Sequence, residues 1–375
     1  MGKRGKRVAV ITVLLLAAGA AVFFGQDWLQ HRFFEPTGTK LEQGIQAEDG
    51  PTIKVIAQNL DIPWEIAFLP GGDMLVTERS GILKRIGTNQ KTYAVEGVQH
   101  VGEGGLLGLA LHPKFAQNHL LYLYLTTSSG NGLTNRVERY RYDSDRLSNR
   151  TLIIGNIPGA ANHDGGRLAF GPDGLLYITT GDAGQPKRAQ DTNSLAGKIL
   201  RLTDEGKMPS GNPFGSAVYS YGHRNPQGLA WDNRSRLWAT EHGRSGIRSG
   251  LDELNLITKG ANYGWPETEG DEQRTGMQTP IANSGPDETW APAGLTYWDG
   301  SLFFAGLRGE SLYEAKLDGN RASLKSHLRG DYGRLRAVVL GPDGYLYIST
   351  SNRDGRGDIR EGDDKIIRLN PKIFR

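Results

Sequence analysis

The chain contains 375 residues, including 52 glycines and no cysteine. The lack of cysteine excludes disulfide bonds, thiol catalysis and cysteine-ligated metals. Its 44 basic and 41 acidic side chains give a formal charge of +3, and four basic residues, Lys3, Arg4, Lys6 and Arg7, precede the first apolar run. The rest of the sequence is nearly neutral. This balance excludes a general electrostatic surface for nucleic acid, so no nucleic-acid partner is expected.

The N-terminal segment combines a basic stretch with an uncharged apolar run over residues 8–24. This pattern predicts either a signal peptide or an uncleaved N-terminal membrane anchor within residues 1–25, and both interpretations stay open. Either one places the body in the periplasm or elsewhere outside the cytoplasm, and an anchor would tether it to the inner membrane. Residues 26–51 are polar and lack periodicity, which predicts a tether.

One pattern recurs six times in the body: an apolar run, a turn rich in glycine, proline or aspartate, and a second apolar run. The copies begin at Trp64, Gly105, Gly166, Pro226, Pro292 and Leu335. Repetition at this period predicts an all-β fold, a six-bladed β-propeller over residues 52–375. The competing fold is a β-sandwich, which does not repeat one hairpin six times. Residues 53–56 and 365–369 are predicted to be strands that pair and close the ring.

The residues near the start of each first run should face one mouth of the central channel. The side chains assigned to that mouth are Glu103, His163 with Asp164 and Arg167, His223, Arg224, Asn225, Trp290, Arg308, Arg334 and Arg336. Several arginines at the mouth of a neutral protein predict an anionic ligand, because guanidinium groups bind carboxylates or phosphates in pairs of hydrogen bonds and repel one another when unfilled. The alternative is that each arginine makes a local salt bridge.

His163 lies in the sequence Asn-His-Asp-Gly-Gly, residues 162–166. The two glycines allow close approach of the backbone to a ligand. An imidazole there can act as a base near neutral pH, although a lone histidine is more often structural. Asp182 ends the second run of the same blade. We expect it to orient His163, because a base is commonly held by a third group.

A candidate calcium site follows the second run of the fourth copy. Asp252 and Glu253 precede an irregular loop, residues 260–266, that can expose carbonyl oxygens. Carboxylate and carbonyl oxygens are the ligands that Ca²⁺ prefers. A solvated acidic turn is an equal alternative, since the spacing is not that of an EF-hand.

At these residues the chain resembles the quinoprotein glucose and aldose sugar dehydrogenases, six-bladed propellers that use pyrroloquinoline quinone (PQQ) and calcium. The resemblance extends from about residue 60 to residue 369. It is carried by five motifs in order: GEGGLLG at 102–108, NHDGGR at 162–167, GHRNPQGL at 222–229, EHG at 241–243 and NYGWP at 262–266.

The resemblance implies that the protein oxidises aldose sugars at C1 to the lactone. His163 would remove the proton of the C1 hydroxyl, with hydride passing to the quinone C5 and Asp182 supporting the histidine. Arg224 and Asn225 would polarise the quinone oxygens. Arg334 and Arg336 correspond to the arginines that bind the cofactor carboxylates, and Arg308 to a basic cofactor contact.

The resemblance also implies two calcium positions. One would use the backbone carbonyls of Gly243 and Arg244 together with the cofactor, and the other Glu253 and the carbonyl of Tyr263. Two departures stand out. Glu103 occupies a position where glutamine is common, and a carboxylate beside an anionic cofactor needs either a proton or an arginine partner. Arg244 replaces a common proline.

Two other functional classes remain as alternatives, a calcium-dependent lactonase or esterase propeller and a non-catalytic propeller that binds a glycan or protein. The arginines at the mouth argue against the first, and the His163 and Asp182 pair against the second. Without cysteine the chain has no CxxCH haem motif. An external electron acceptor is therefore required for the dehydrogenase. The chain lacks the long insertions of the dimeric branch of the family that it resembles, so the resemblance implies a monomer rather than a dimer.

Overall fold

The computed structural model describes residues 34–46, 52–130, 132–143 and 145–375. The predicted signal peptide or anchor at residues 1–25 lies outside the described residues. Within the described ranges, no helix is both long enough and apolar enough to cross a membrane.

The strands follow the chain in six consecutive groups. Two strands precede the first group, β1 (Leu41–Gln43) and β2 (Ile53–Ala57). The first blade contains β3 (Pro63–Phe68), β4 (Met74–Glu78), β5 (Ile82–Ile86) and β6 (Lys91–Ala94). The second blade contains β7 (Leu106–Leu111), β8 (Leu120–Ser129), β9 (Gly132–Asp143) and β10 (Arg146–Pro158), with a short helix α1 (Phe115–Asn118) after β7.

The remaining blades repeat this arrangement. The third blade contains β11 (Leu168–Phe170), β12 (Leu176–Thr180), β13 (Lys198–Leu202) and β14 (Val218–Tyr221). The fourth contains β15 (Pro226–Trp231), β16 (Leu237–Glu241), β17 (Glu253–Ile257) and β18 (Ala282–Asn283). The fifth contains β19 (Pro292–Trp298), β20 (Ser301–Gly306), β21 (Leu312–Asp318) and β22 (Arg321–His327), and the sixth β23 (Leu335–Leu340), β24 (Leu346–Thr350) and β25 (Ile366–Leu369). Short 3₁₀ turns occupy Pro186–Ala189, Gly246–Arg248 and Pro371–Phe374.

The six sheets form a closed ring. The first strands of neighbouring blades contact each other all the way round, and β23 of the last blade meets β3 of the first. The strand β2 pairs antiparallel with β25 and completes the sixth blade, with Ile53 opposite Leu369. The predicted six-bladed β-propeller and the predicted closure of its ring are both confirmed.

The composition of each repeat follows from its position in the blade. First strands crowd together around the channel, so glycines recur where one blade touches the next. A Cβ added at Gly108 would overlap the Gly166 carbonyl oxygen, and one at Gly228 would overlap the Ala293 carbonyl oxygen. The second strands β4, β12, β16, β20 and β24 are buried along their whole length. Their large apolar residues pack between blades and contribute to the hydrophobic core.

Residues 34–46 belong to the range predicted as a polar tether, and the structure shows them bound to the propeller. The strand β1 pairs in parallel with β22 at the outer edge of the fifth blade. Thr39 and Asn283 exchange hydrogen bonds of 2.9 and 3.0 Å, and the Ile45 N–H donates to His327 Nδ1 at 3.0 Å. This segment therefore covers the exposed edge of the fifth sheet.

Candidate functional site

A cavity of about 300 Å³ lies at the end of the channel where the first strands begin. Its wall contains eight of the residues singled out from the sequence: Glu103, His163, Arg224, Gly243, Arg244, Asp252, Arg308 and Arg334. These residues come from loops distributed around the ring. The ring of blades thus brings together side chains that are far apart in sequence.

His163 is held from behind by Asp182. The Nδ1 atom lies 2.8 Å from Asp182 Oδ1, and the His163 side chain is mostly buried. The His163 backbone adopts φ of 59°, a left-handed conformation that is uncommon for residues other than glycine. With Nδ1–H donated to the carboxylate, the Nε2 lone pair is left to act as a base.

Asp182 has further donors on both carboxylate oxygens. Trp265 Nε1 donates to Oδ2 at 2.9 Å, and the Gly184 N–H donates to Oδ1 at 2.8 Å. Burial opposes the charge on Asp182, but the hydrogen bond from His163 together with these N–H groups outweighs it. The pKa of Asp182 is therefore held below its ordinary value, and the carboxylate stays ionised.

Glu103 has the arginine partner that its position in the wall requires. Its Oε1 accepts a hydrogen bond from Arg356 Nη1 at 2.7 Å, and its Oε2 accepts one from the His163 N–H at 3.1 Å. Burial opposes ionisation of Glu103, but His242, Arg356 and the His163 N–H outweigh it and hold the pKa of Glu103 at about 2. Glu103 is therefore a carboxylate at neutral pH.

Two guanidinium groups in the cavity wall have no ion-pair partner within the described part of the chain. Arg224 donates to Ser245 Oγ at 2.7 Å, and its guanidinium carbon lies 5.3 Å from the centre of the Trp265 ring. Its Nε atom is buried without a hydrogen-bond partner among the residues that the structure describes. Burial lowers the pKa of Arg224 below its ordinary value. Arg308 donates to Ser249 Oγ at 2.7 Å. Both cations can therefore pair with a bound anion.

Arg334 and Arg336 differ from this pair because both approach Asp354. Arg334 lines the cavity and donates to Asp354 through Nε and Nη2, the shortest bond being 2.7 Å. Arg336 does not line the cavity. It is almost fully buried, and its Nη2 lies 3.8 Å from Asp354 Oδ2. Its Nη1 donates to Gln227 Oε1 at 3.2 Å. Burial and the nearby Arg79 lower the pKa of Arg336 to about 9.

Asn225 is also outside the cavity wall. It is fully buried, and its Oδ1 accepts a hydrogen bond from the Gly165 N–H at 3.0 Å. Its Nδ2 is buried and has no hydrogen-bond partner in the described part of the chain. Asn225 thus supports the glycines that follow His163 and keeps one donor unused.

The residues of the predicted calcium sites surround a smaller cavity of about 10 Å³, which is room for one water-sized particle. Gly243, Arg244, Glu253 and Tyr263 all contribute to its wall. Burial and the neighbouring Glu241 raise the pKa of Glu253 well above its ordinary value. Among the described residues, no three histidine, aspartate or glutamate side chains are grouped as a metal site. A metal here would need backbone carbonyl oxygens in addition to the Glu253 side chain.

Sequence reasoning missed four residues that shape the site, namely His242, Trp265, Asp354 and Arg356. His242 follows β16 directly and lines the cavity. Within the described ranges its Nε2 has no hydrogen-bond partner, and burial lowers the pKa of His242 to about 3. Asp354 and Arg356 lie in the loop between β24 and β25. The end of each second strand lies beside the start of the first, as Pro226 lies opposite Glu241. That antiparallel geometry was the available signal for His242.

The fold and the site together define a propeller oxidoreductase, with a base and a cationic cavity at one end of the channel. The chain belongs to the glucose/sorbosone dehydrogenase family, whose model matches residues 60–367. It is 34% identical over 342 residues to the aldose sugar dehydrogenase YliI of Escherichia coli K12, covering 81% of this chain and 91% of that protein. It is 35% identical over 257 residues to quinoprotein glucose dehydrogenase B of Acinetobacter calcoaceticus, covering 58% of this chain and 52% of that protein.

Solved structures agree with this assignment. The PQQ-bound aldose sugar dehydrogenase of Streptomyces coelicolor is 45% identical, with a TM-score of 0.78, covering 85% of this chain and 97% of that chain. A putative oxidoreductase (glucose dehydrogenase) from Thermus thermophilus is also 45% identical, with a TM-score of 0.81, covering 84% of this chain and 99% of that chain.

Proposed function

We propose that the protein is a PQQ- and calcium-dependent aldose sugar dehydrogenase, which oxidises the sugar at C1 to the lactone and passes electrons to an external acceptor. The observation that carries the proposal is one cavity containing both an oriented base and unpaired cations. His163 is bonded to Asp182 at 2.8 Å, and Arg224 and Arg308 in the same wall lack ion-pair partners within the described residues.

The residues present fit PQQ, which is a flat tricarboxylate. Two guanidinium groups that lack carboxylate partners among the described residues, and the unused Nε donor of Arg224, are suited to its carboxylates and carbonyls. The unused Nδ2 of Asn225 is a further donor. The cavity volume of about 300 Å³ is within the range of small-molecule sites. When bound, PQQ would supply the acceptor of the two electrons.

The chain's own residues would then handle the proton and the developing charge. His163 Nε2 accepts the proton of the sugar C1 hydroxyl, and Asp182 stabilises the imidazolium that results. Arg224 stabilises negative charge that develops at the cofactor oxygens, because a fixed cation in a buried site needs no reorganisation. Arg308, Arg334 and Arg336 favour binding of an anionic cofactor at this end of the channel.

Calcium is supported by the charges around the smaller cavity. Glu253 on β17 lies directly opposite Glu241 on β16, and like charges opposite each other destabilise a sheet unless a cation or proton intervenes. Glu241 has His223 Nδ1 at 2.8 Å, whereas Glu253 is bonded to Asn255 and the Gly270 N–H. We assign Glu253 and the Tyr263 carbonyl to one ion and the Gly243 and Arg244 carbonyls to another, beside the cofactor.

The remaining elements of the proposal concern location and partners. We place the propeller in the periplasm or elsewhere outside the cytoplasm, either released after cleavage of residues 1–25 or anchored by them to the inner membrane. Residues 34–46, bound along the fifth blade, would join such an anchor to the propeller. An aldose is the substrate, an external carrier accepts the electrons, and the protein acts as a monomer.

Reconstitution tests the function. Cofactor-free protein is mixed with PQQ and Ca²⁺, and dye reduction is followed with a panel of aldoses, with His163→Ala as the matched control. We expect turnover by the wild-type protein, and PQQ retention without turnover by the variant. Absence of both turnover and retained PQQ would contradict the proposal. Hydrolysis of lactones with Ca²⁺ alone would instead identify a lactonase.

A further inference from the structure

Glu103 connects the proposed base to the rim of the cavity. One carboxylate oxygen accepts the His163 N–H at 3.1 Å, and the other accepts Arg356 Nη1 at 2.7 Å. The Glu103 N–H itself donates to the Ala161 carbonyl at 2.8 Å. Glu103 is therefore fixed through both its backbone and its side chain to the loop that carries His163.

The backbone of His163 needs such support. Its left-handed conformation, with φ of 59°, is unfavourable for a residue with a side chain, so surrounding contacts must hold it. The His163 carbonyl accepts the Ala183 N–H at 3.1 Å, and Glu103 satisfies the N–H on the other side of the same residue. Removing Glu103 would leave that amide without its acceptor and release one side of the loop.

Arg356 completes the connection from the sixth blade. It lies in the loop between β24 and β25, and the same loop is fastened to the cavity wall by the ion pair of Asp354 with Arg334. The Arg356 side chain is 59% exposed, whereas that of Glu103 is 16% exposed. A glutamine, common at this position in the family that the sequence resembles, could accept the His163 N–H. It could not form the ion pair with Arg356.

We propose that Glu103 and Arg356 act as a positioning pair for His163. Arg356 fixes the Glu103 carboxylate, and Glu103 fixes the His163 backbone so that Nε2 keeps its geometry toward the C1 hydroxyl. The proposal rests on the proposed role of His163 as the base. Small displacements of a reacting group are costly, since a misplacement of about 1 Å can reduce the rate by about 100-fold.

The test compares Glu103→Ala, Glu103→Gln, Arg356→Ala and Arg356→Lys in the reconstituted enzyme. We expect Glu103→Ala to lower kcat by about 10- to 100-fold, with bound PQQ unchanged and a larger kinetic isotope effect from C1-deuterated sugar. Arg356→Ala and Glu103→Gln should have smaller effects on kcat, and Arg356→Lys should restore the wild-type rate. The double variant Glu103→Ala/Arg356→Ala should be no slower than Glu103→Ala alone, because the two residues act in series.

A second readout does not depend on activity. In cofactor-free protein, Glu103→Ala should accelerate hydrogen exchange of the peptide containing His163, and Arg356→Ala should do so to a smaller extent. Arg368→Ala is the matched control, since it breaks the ion pair with Asp343 elsewhere on the sixth blade. It should change neither readout.

Unchanged exchange at His163 in Glu103→Ala, or a loss of kcat that only follows loss of PQQ, would overturn the positioning pair. Accelerated exchange in Glu103→Ala, combined with no sugar oxidation by the wild-type protein, would instead mean that the pair supports the loop while the proposed function fails. The two failures are therefore distinguishable.

Discussion

The carboxylate of Asp182 bridges His163 and Trp265. Oδ1 lies 2.8 Å from His163 Nδ1, and Oδ2 accepts Trp265 Nε1 at 2.9 Å. Both oxygens are engaged, so the carboxylate cannot rotate without losing a hydrogen bond. This fixes the His163 tautomer and ties the third blade to the loop that carries Trp265.

Replacing Asp182 with asparagine should remove this control. An amide has one acceptor oxygen and would present its NH₂ group to either His163 or Trp265. We expect Asp182→Asn to lower kcat by about 10³- to 10⁴-fold, the size of effect seen when a base is left in the wrong tautomer. Bound PQQ should be unchanged. Steady-state kinetics with Asp173→Asn as control provides the check, because Asp173 bonds Tyr177 in a turn of the same blade. Equal rates for the two variants would refute the role of Asp182.

Substituting the arginines of the cavity should weaken PQQ binding in every case but reduce the stability of the fold only where the arginine holds a buried carboxylate. Arg308 bonds Ser249 and has no ion-pair partner within the described residues, whereas Arg334 holds the buried Asp354. We expect Arg308→Ala and Arg334→Ala each to weaken PQQ binding by about tenfold or more, the effect of losing one charge-assisted contact. Only Arg334→Ala should destabilise the fold, by about 3 kcal/mol, because it leaves Asp354 short of a partner. Cofactor titration and thermal unfolding measure the two effects. Unaltered PQQ affinity in Arg308→Ala would exclude that residue from the site.

Asp164 should make stability depend on pH. It is 2% exposed and its Oδ1 accepts a hydrogen bond from Asn135 Nδ2 at 2.8 Å, whereas its Oδ2 has no partner among the described residues. Burial raises its pKa to about 7 from an ordinary value of 3.8. Between these two pKa values the folded state keeps a proton on Asp164 that the unfolded state loses. The free energy of unfolding therefore falls as pH rises from 3.8 to about 7.

In the wild-type protein the decline amounts to about 1.4 kcal/mol for each unit by which the pKa of Asp164 differs between the folded and unfolded states. We expect Asp164→Asn to lack this decline. Urea unfolding at about pH 5 and about pH 8 measures it, and Asp318→Asn, at an exposed site, should retain the wild-type slope. A variant slope equal to that of the wild type would show that Asp164 is ionised in the folded protein.

Calcium should stabilise the fold through Glu253. We expect Ca²⁺ to raise the unfolding free energy by about 2.7 kcal/mol at a concentration 100 times its Kd, and a chelator to reverse the gain. Glu253→Gln should remove most of this response, whereas Glu42→Gln, at an exposed position, should retain it. Thermal unfolding with and without Ca²⁺ is the measurement. A full response in Glu253→Gln would place the ion elsewhere.

The six hairpins made the fold predictable, because each repeat carries small residues where blades crowd and large ones where blades pack. They also located His163, Arg224 and Arg334, which precede first strands. Asp354 and Arg356 escaped prediction since they lie in a long loop after β24, where no periodicity marks a residue. Arg336 was assigned to the same mouth, but its side chain packs below the wall against Gln227 and near Trp64. The direction of the Arg336 side chain depends on packing across the channel, and the residues next to Arg336 in the sequence do not determine that packing.

Within the predicted tether, residues 26–51, polar composition did not predict β1, which adds to the fifth blade through backbone hydrogen bonds. Such pairing needs an open sheet edge more than it needs a particular side chain.

Anaerobic single turnover tests the central claim most directly. Protein loaded with PQQ and Ca²⁺ is mixed with an aldose in the absence of any electron acceptor, and the cofactor absorbance and the sugar product are followed. The account predicts that the bound cofactor is reduced once per site with one equivalent of lactone formed, and that His163→Ala binds PQQ but leaves it oxidised. A cofactor that stays oxidised in the wild-type protein, or is reduced equally fast in His163→Ala, would contradict it.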